Sequence, residues 1–460
     1  MEFREKKSSG FSKYLTIFIL LIIIGAVGFI KLSPEFEQDK PEIVIEDNIF
    51  WNLKTKLNLK LSDQSGIKYY KVSFNDGTKD IELDSQILST PAKILDVKIK
   101  PPKLDMFFKG TTGTITIEAF DHSKWNYLEG NRAIKTIKVM IDKKRPIANV
   151  ITNSLAIKHG GSAIAVVEIK DENLKDAYIT FNDKIKFDLI PFYKDNYFVS
   201  LIAWPIKIEN FQRVNLVATD KAGNITKTKI PLYIRDLKIK QDDIKISDKF
   251  IENVSTNVLE LSGAEIPADL SERFIKQNKN VRNDNINMIK KVTDKYMDRS
   301  LVQDFNINIF KRLKGSRTAA GFAEKRSYFH NDNEIDEAWH LGMDWASIKQ
   351  APIKTSNNGT VIFNQYLGIY GNTIIIDHKM GLSTLYAHVS SSNVNVGDEV
   401  SKNQKIANTG STGAVLGDHL HFGVLIQGIE VNPKEWMDRN WIKSRITDIL
   451  DDAKKIIDSK

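Results

Sequence analysis

Hydrophobic and polar positions divide the chain into stretches of different period. Residues 14–30 are uncharged and almost wholly apolar, built around Leu15-Thr16-Ile17-Phe18-Ile19-Leu20-Leu21-Ile22-Ile23-Ile24. A run of about 17 residues reaches the lower limit for a helix that spans a bilayer. From about Pro41 to Asp236 apolar and polar residues alternate in short runs, as at Leu57, Leu59 and Leu61 and again at Ile115, Ile117 and Ala119. That period predicts half-buried strands. Between Leu237 and Ser300 the period lengthens, with Leu270, Phe274, Ile286, Ile289, Val292 and Tyr296 at roughly helical spacing among Lys, Asn and Asp, which predicts helix. Strands return after Arg312, at 359–363, 372–376 and 383–388, the last two joined by the turn-like Lys379-Met380-Gly381. Beyond Pro433 a helical tail carrying Trp436, Trp441, Ile446 and Ile449 closes the chain.

The first strand-rich region contains an internal repeat. Asp63 and Phe74-Asn75-Asp76 recur as Asp171 and Phe181-Asn182-Asp183, at offsets of 108 and 107, and Ala119-Phe120-Asp121 recurs as Ala218-Thr219-Asp220, at an offset of 99. A period near 100 with short strands predicts two tandem β-sandwiches of immunoglobulin-like size, joined at Lys143-Lys144-Arg145-Pro146. The Ala-x-Asp followed by Lys221-Ala222-Gly223-Asn224 and a last strand at 230–234 resembles bacterial immunoglobulin-like modules. Trp51, Trp125 and Trp204 are expected in their cores, and His122 and His159 on the surface.

Length and composition narrow the function classes. With 460 residues, 42% hydrophobic and 27% charged, the chain is a folded protein of about three domains. The net charge of +8 is spread through mixed lysines and acids rather than gathered in a patch, so nucleic acid is not an expected partner. Arg4, Lys6, Lys7 and Lys13 precede the apolar run, which predicts a single-pass inner-membrane protein with its N-terminus inside and the remainder in the periplasm or cell wall. Ala26-Val27-Gly28 offers a signal-peptide cleavage site, but the run exceeds the usual ~7–15 residue signal core and continues past it, which favours an uncleaved anchor. The chain has no cysteine, so any metal must be held by His and carboxylate.

Candidate chemistry lies in the last third. Along residues 417–426, His419, His421, Gly423 and Leu425 share one strand face, while Leu420, Phe422, Val424 and Ile426 share the other. Two imidazoles on one face make half of a metal site. Trp339-His340-Leu341-Gly342-Met343-Asp344 adds an imidazole and a carboxylate, and Leu385-Tyr386-Ala387-His388 another imidazole. Alternation places Thr384, Tyr386 and His388 on one face, aimed where His419 and His421 point. His378, at a strand end near the surface, and His330, in the polar loop 331–334 at the groove edge, fit no role.

The order His340-x-Gly342-x-Asp344, Tyr386-Ala387-His388 and His419-x-His421-Phe422, framed by Gly371-Asn372 and Thr409-Gly410-Ser411-Thr412-Gly413, resembles the lysostaphin/LytM-type zinc metallopeptidases that cut peptidoglycan cross-bridges. The resemblance covers about residues 312–433, and Gly423 departs from it where an acidic residue is common. It implies His340, Asp344 and His421 as ligands of Zn2+, and His388 and His419 as catalytic neighbours serving as general base and oxyanion stabiliser or proton donor, without saying which does which. Three such ligands leave one position for water, the arrangement of a catalytic zinc.

The expected fold is mainly β: a cytoplasmic stub and transmembrane helix (1–35), two tandem immunoglobulin-like sandwiches (41–145 and 146–236), a helical connector (237–311), a β-sheet metallopeptidase core (312–433) and a helical tail (434–460). The expected function is a membrane-anchored zinc endopeptidase acting on peptidoglycan peptides, with cell-wall or division proteins as further partners. Two other readings remain: a catalytically silent activator of another wall hydrolase, and a wall-binding or adhesion protein whose sandwiches carry the function. The connector is a spacer or a lid; as a lid, its removal up to about Ser300 would raise activity.

Overall fold

A computed structural model describes residues 10–103 and 108–460. The protein is mainly β and divides into two compact units, Met1–Arg145 with Asp220–Asn224, and Pro146–Thr219 with Ile225–Lys460.

In the first unit, one helix among the described residues, Phe11–Leu32, is long and apolar enough to cross a membrane. Of the basic residues expected ahead of the apolar run, Lys13 lies in the Gly10–Leu32 helix, and Arg4, Lys6 and Lys7 lie outside the described residues. Six strands follow. Glu42–Val44, Leu57–Asn75, Thr112–Asp121, Arg132–Ile141 and Ile49–Trp51 pair in that order, and Asp80–Ile99 also pairs with Leu57–Asn75. The described strands therefore hydrogen bond into one sheet, where the sequence pattern predicts two facing ones. Leu57–Asn75 and Asp80–Ile99, 19 and 20 residues long, run on through register shifts instead of ending in turns. Trp51, Leu59, Leu61, Val72, Phe74, Ile115 and Ile117 form the core.

The second unit begins with two four-stranded sheets. One contains Leu174–Phe181, Ile185–Asp188, Val214–Asp220 and Ile225–Lys229, the other Ile147–Asn153, Ser162–Lys170, Ile190–Pro191 and Tyr197–Ala203. Their core of Ile164, Val166, Ile179, Phe181, Leu201 and Trp204 continues without a break into Met343, Trp345, Leu420, Phe422 and Val424, and into Leu450, Ala453 and Ile457 of the Asp448–Asp458 helix. The apolar face of the C-terminal sheet is thus covered by the preceding β region and the tail, because a sheet face of Leu, Phe and Val cannot be left in water. Trp436 Nε1 donates to Ser162 Oγ at 3.1 Å, and the Ser162 backbone N–H donates to Glu435 at 2.8 Å. His159 is buried here rather than on the surface, its ring 4.8 Å from that of Trp204.

The C-terminal sheet has Arg317–Ala320, Met343–Ala346, Leu420–Ile426, Leu382–Ala387, Asn372–Asp377, Gly359–Tyr366 and Glu399–Val400 in order, with Ile429–Val431 beside Leu420–Ile426. A smaller sheet pairs Lys240–Lys245, Glu324–His330 and Asn333–His340. The stretch expected to be a wholly helical connector therefore begins with a strand. Lys240–Lys245 lies parallel to Glu324–His330; its one apolar residue, Ile244, carries no period, so tertiary pairing decides its structure.

Helical segments 248–261 and 270–296 then cover the second face of the large sheet. Val258, Leu259, Val281 and Ile289 pack in one core with Ile362, Phe363, Ile369, Ile375, Leu385 and Leu425. This stretch is therefore part of the domain's core. Ile289, fully buried, is expected to cost about 2–5 kcal/mol on substitution by Ala, read from the shift in chemical unfolding of the full chain. A chain trimmed at Ser300 exposes that core and is expected to be insoluble or unfolded by circular dichroism instead of hyperactive.

Candidate metal centre

Strand register assembles the centre. Met343–Ala346 runs antiparallel to Leu420–Ile426 with Asp344 opposite His421, and Leu382–Ala387 flanks the other side with Ala387 opposite His421. Residues opposite one another in a ladder point to the same face. Asp344 and His421 therefore emerge together, while Met343, Trp345, Leu420 and Phe422 enter the core on the other face. His340, the last residue of Asn333–His340, completes the group. Its Nε2 lies 3.0 Å from Asp344 Oδ2 and 3.2 Å from His421 Nδ1, and His421 Nδ1 lies 2.8 Å from Asp344 Oδ1.

His388 reaches the site differently from the sequence expectation. Tyr386 faces Phe422 across the ladder, on the core side, so strict alternation would send His388 there too. Instead the strand ends at Ala387 and His388 takes a left-handed backbone, φ 62°, which turns its ring to 5.8 Å from that of His421 and 4.9 Å from that of His419. His419 sits just ahead of its strand, in an isolated bridge with Gly410, with Nε2 3.7 Å from Asp344 Oδ1.

Backbone carbonyls set the tautomers. His340 Nδ1 lies 2.7 Å from Gly321 O, His388 Nδ1 2.8 Å from Thr412 O, and His419 Nδ1 2.8 Å from Gly417 O. A carbonyl oxygen only accepts, so each Nδ1 carries a proton and donates it, which makes Nε2 the lone-pair nitrogen of the neutral form. Burial, opposed by Asp344, pushes His421 down to about 4, and burial with the neighbouring histidines pushes His388 down to about 3. Burial also works against ionised Asp344, but His340 and His421 outweigh it and hold its carboxyl well below the usual range. The centre thus offers two imidazole nitrogens and a carboxylate, the deprotonated state a metal requires.

The fit to a metal can be judged from these atoms. Donor separations of 2.8, 3.0 and 3.2 Å suit three atoms facing one point about 2.0–2.2 Å away, the length of zinc–nitrogen and zinc–oxygen bonds. His340 Nε2 and His421 Nδ1 face each other at 3.2 Å, as two ligands of one ion would. A second acidic group, Glu37, Asp63 and Asp121, lies in the first unit and contains no imidazole.

Two glycines are required by this packing. A Cβ on Gly342 would stand 2.5 Å from His421 Nε2 and 2.7 Å from Phe422 O. Gly371, at φ 62°, has Thr412 O 2.4 Å from where a Cβ would be, and that carbonyl is the one holding His388.

A cavity of about 310 Å³ opens over the centre. His340, Asp344, His388, His419 and His421 line it together with Ile369, Tyr370 and the loop Ala414-Val415-Leu416. Tyr328 and Leu341 add to it, and the connector supplies a further wall with Ile244, Ile246, Phe250, Phe274, Gln277, Asn278 and Arg282. Phe274 stood out in the sequence only as part of a helical period, and the others, with Arg326, whose Nη2 lies 3.9 Å from Asp344 Oδ2, had no signal in the linear pattern. Of the remaining histidines, His330 ends its strand, buried, with Nδ1 2.7 Å from Ser271 Oγ and Nε2 2.7 Å from Asp248, away from the centre. His378 is buried rather than near the surface, held by Asn358 O and Thr384 Oγ1.

Comparisons with known proteins fall on this region. Residues 338–433 match peptidase family M23. DD-carboxypeptidase/endopeptidase Mpg of Neisseria meningitidis is 39% identical over 94 residues, 20% of this chain and 22% of that protein. Peptidoglycan DD-endopeptidase ShyA of Vibrio cholerae is 37% identical over 93 residues, again 20% of this chain and 22% of that protein. The chain thus spans about a fifth of the length of these curated relatives. Among solved structures, the catalytic domain of lysostaphin from Staphylococcus simulans is 26% identical with a TM-score of 0.24, covering 27% of this chain and 94% of that one.

Gly342→Ala is expected to push His421 off its position and weaken metal binding by about 10–100-fold, measured by titrating metal into the chelator-stripped full chain.

Proposed function

We propose that the C-terminal region, a peptidase M23 domain of the lysostaphin/LytM type, makes this protein a zinc endopeptidase that hydrolyses peptide cross-links of peptidoglycan. The observation that carries the reading is the convergence of His340, Asp344 and His421 on one point, with His388 and His419 beside them. The names of the curated relatives, peptidoglycan DD-endopeptidases among them, support the substrate class.

His340, Asp344 and His421 would hold the zinc. When bound, zinc supplies a water of pKa about 7 and polarises a carbonyl. The two remaining histidines present Nε2 lone pairs to the same space, because Thr412 O and Gly417 O occupy their Nδ1 protons. Either lone pair can accept a hydrogen bond from the attacking water and take its proton. Whichever of His388 and His419 takes that proton then carries an N–H at Nε2, which suits its delivery to the leaving amine or a hydrogen bond to the developing oxyanion. The buried Tyr370 ring packs 5.5 Å from that of His421 and keeps water from behind it.

The Gly10–Leu32 helix would anchor the chain in the cytoplasmic membrane with the enzyme on the outer side, and the β regions between would hold the catalytic domain toward the wall.

The test is cleavage of purified cross-linked peptidoglycan by the full-length chain in detergent, with products resolved by mass. Zinc-dependent loss of cross-linked species is expected, abolished by chelator and by His421→Ala. His388→Ala is expected to lower the rate by about 10²–10⁴-fold while zinc still binds. Bound zinc with no cleavage would replace this reading with that of a silent activator.

A further inference from the structure

The connector wall brings polar chemistry to the cavity that the hydrolytic centre does not use. Apart from Asp344, whose charge is committed to the donor set, the charged side chains lining the cavity are Lys245, Arg282 and Arg326, all cationic. Lys245 is exposed and paired with Asp332 at 3.1 Å, which leaves the two arginines.

Arg326 comes from the Glu324–His330 strand and is mostly buried, with 19% of its side chain exposed. Its Nη2 makes only long contacts, 3.5 Å to Glu324 Oε2 and 3.9 Å to Asp344 Oδ2, and its Nε is buried without a partner. Glu324 is already engaged by Lys240 at 3.2 Å and by the Gly321 N–H at 3.0 Å. A buried guanidinium with an unused donor is costly unless something else completes it.

Arg282 comes from the connector helix. Its Nη2 and Nε donate to Asn278 Oδ1 at 2.6 and 3.2 Å, and Asn278 Nδ2 donates to Asp336 Oδ2 at 2.8 Å. A neutral amide thus aims the guanidinium without neutralising it. Beside it Gln277 is 2% exposed and lines the cavity, and its buried Oε1 has no hydrogen-bond partner.

Two forked cations and an unfilled acceptor in one cavity describe a ligand that brings both an anion and an N–H. We propose that Gln277 and Arg282 of the connector and Arg326 of the catalytic sheet form a subsite for a peptide bearing a free carboxylate next to the bond to be cut. The guanidinium forks match the two carboxylate oxygens, and Gln277 Oε1 accepts a backbone N–H of the same peptide. This deepens the peptidase reading and rests on it for the identity of the bond. It makes the connector a substrate-binding wall rather than an inhibitory cover.

The test compares a synthetic cross-linked stem-peptide dimer carrying free carboxylates with the same dimer amidated at those carboxylates. Binding to the full-length chain in detergent is measured by calorimetry with chelator present, so that no cleavage intervenes. The acid form is expected to bind about 10–100-fold more tightly, and the ratio to fall toward one in Arg326→Gln and in Arg282→Gln. Should Arg326→Gln fail to fold, Arg282→Gln, whose bonds run only to Asn278, carries the comparison. Equal affinities, no measurable binding of the acid form, or a ratio unchanged in the arginine variants would each overturn the subsite. Failure to cleave with zinc, tested separately, would remove the peptidase reading and leave a carboxylate preference standing.

Discussion

The pairing of Asp344 with His421 across two antiparallel strands is the constraint on which the rest depends. Side chains alternate with a period of two, so a slip of one residue would turn Asp344 into the core and bring Trp345 out. Met343, Trp345, Leu420 and Phe422 prevent that slip. Their burial against the preceding β region and the C-terminal helix is what holds the carboxylate and the imidazole on the face that carries the cavity. Packing on one side of the sheet therefore specifies chemistry on the other.

Around that pair, polarity is arranged by backbone rather than by charged side chains. Gly321, Thr412 and Gly417 each contribute a carbonyl that takes an imidazole proton. The three rings are thereby oriented, each with its Nδ1 proton held by the backbone and its Nε2 lone pair free. Burial keeps His421 and His388 neutral, so the centre is ready for metal at physiological pH. The glycines at 342 and 371 exist because these contacts leave no room for a Cβ.

The connector changes the meaning of the domain's edge. It adds the Lys240–Lys245 strand to the smaller sheet, covers the apolar surface beside the site with Val258, Val281 and Ile289, and lines the cavity. A segment that contributes to the core cannot come away cheaply, since opening it exposes apolar area worth roughly 25 cal/mol per Å². Control by simple displacement is therefore disfavoured, and a share in ligand recognition is the role its side chains fit.

The linear order of residues determined much of this by itself. The apolar run near the N-terminus, the strand period, the helical tail and the His and Asp spacing of the last third are local patterns, and each depends only on near neighbours along the chain. The alternation that separates His421 from Leu420 and Phe422 needs nothing more. Tertiary structure alone decided the rest. The left-handed turn that redirects His388, the pairing of nearly patternless Lys240–Lys245, the burial of His159 and His378, and the merging of the second β region with the C-terminal sheet all depend on contacts between distant residues. So do Gln277, Arg282 and Arg326, which enter one cavity from two elements far apart in sequence. Periodicity records which face of an element is apolar; which surface that face meets is settled only when the whole chain has packed.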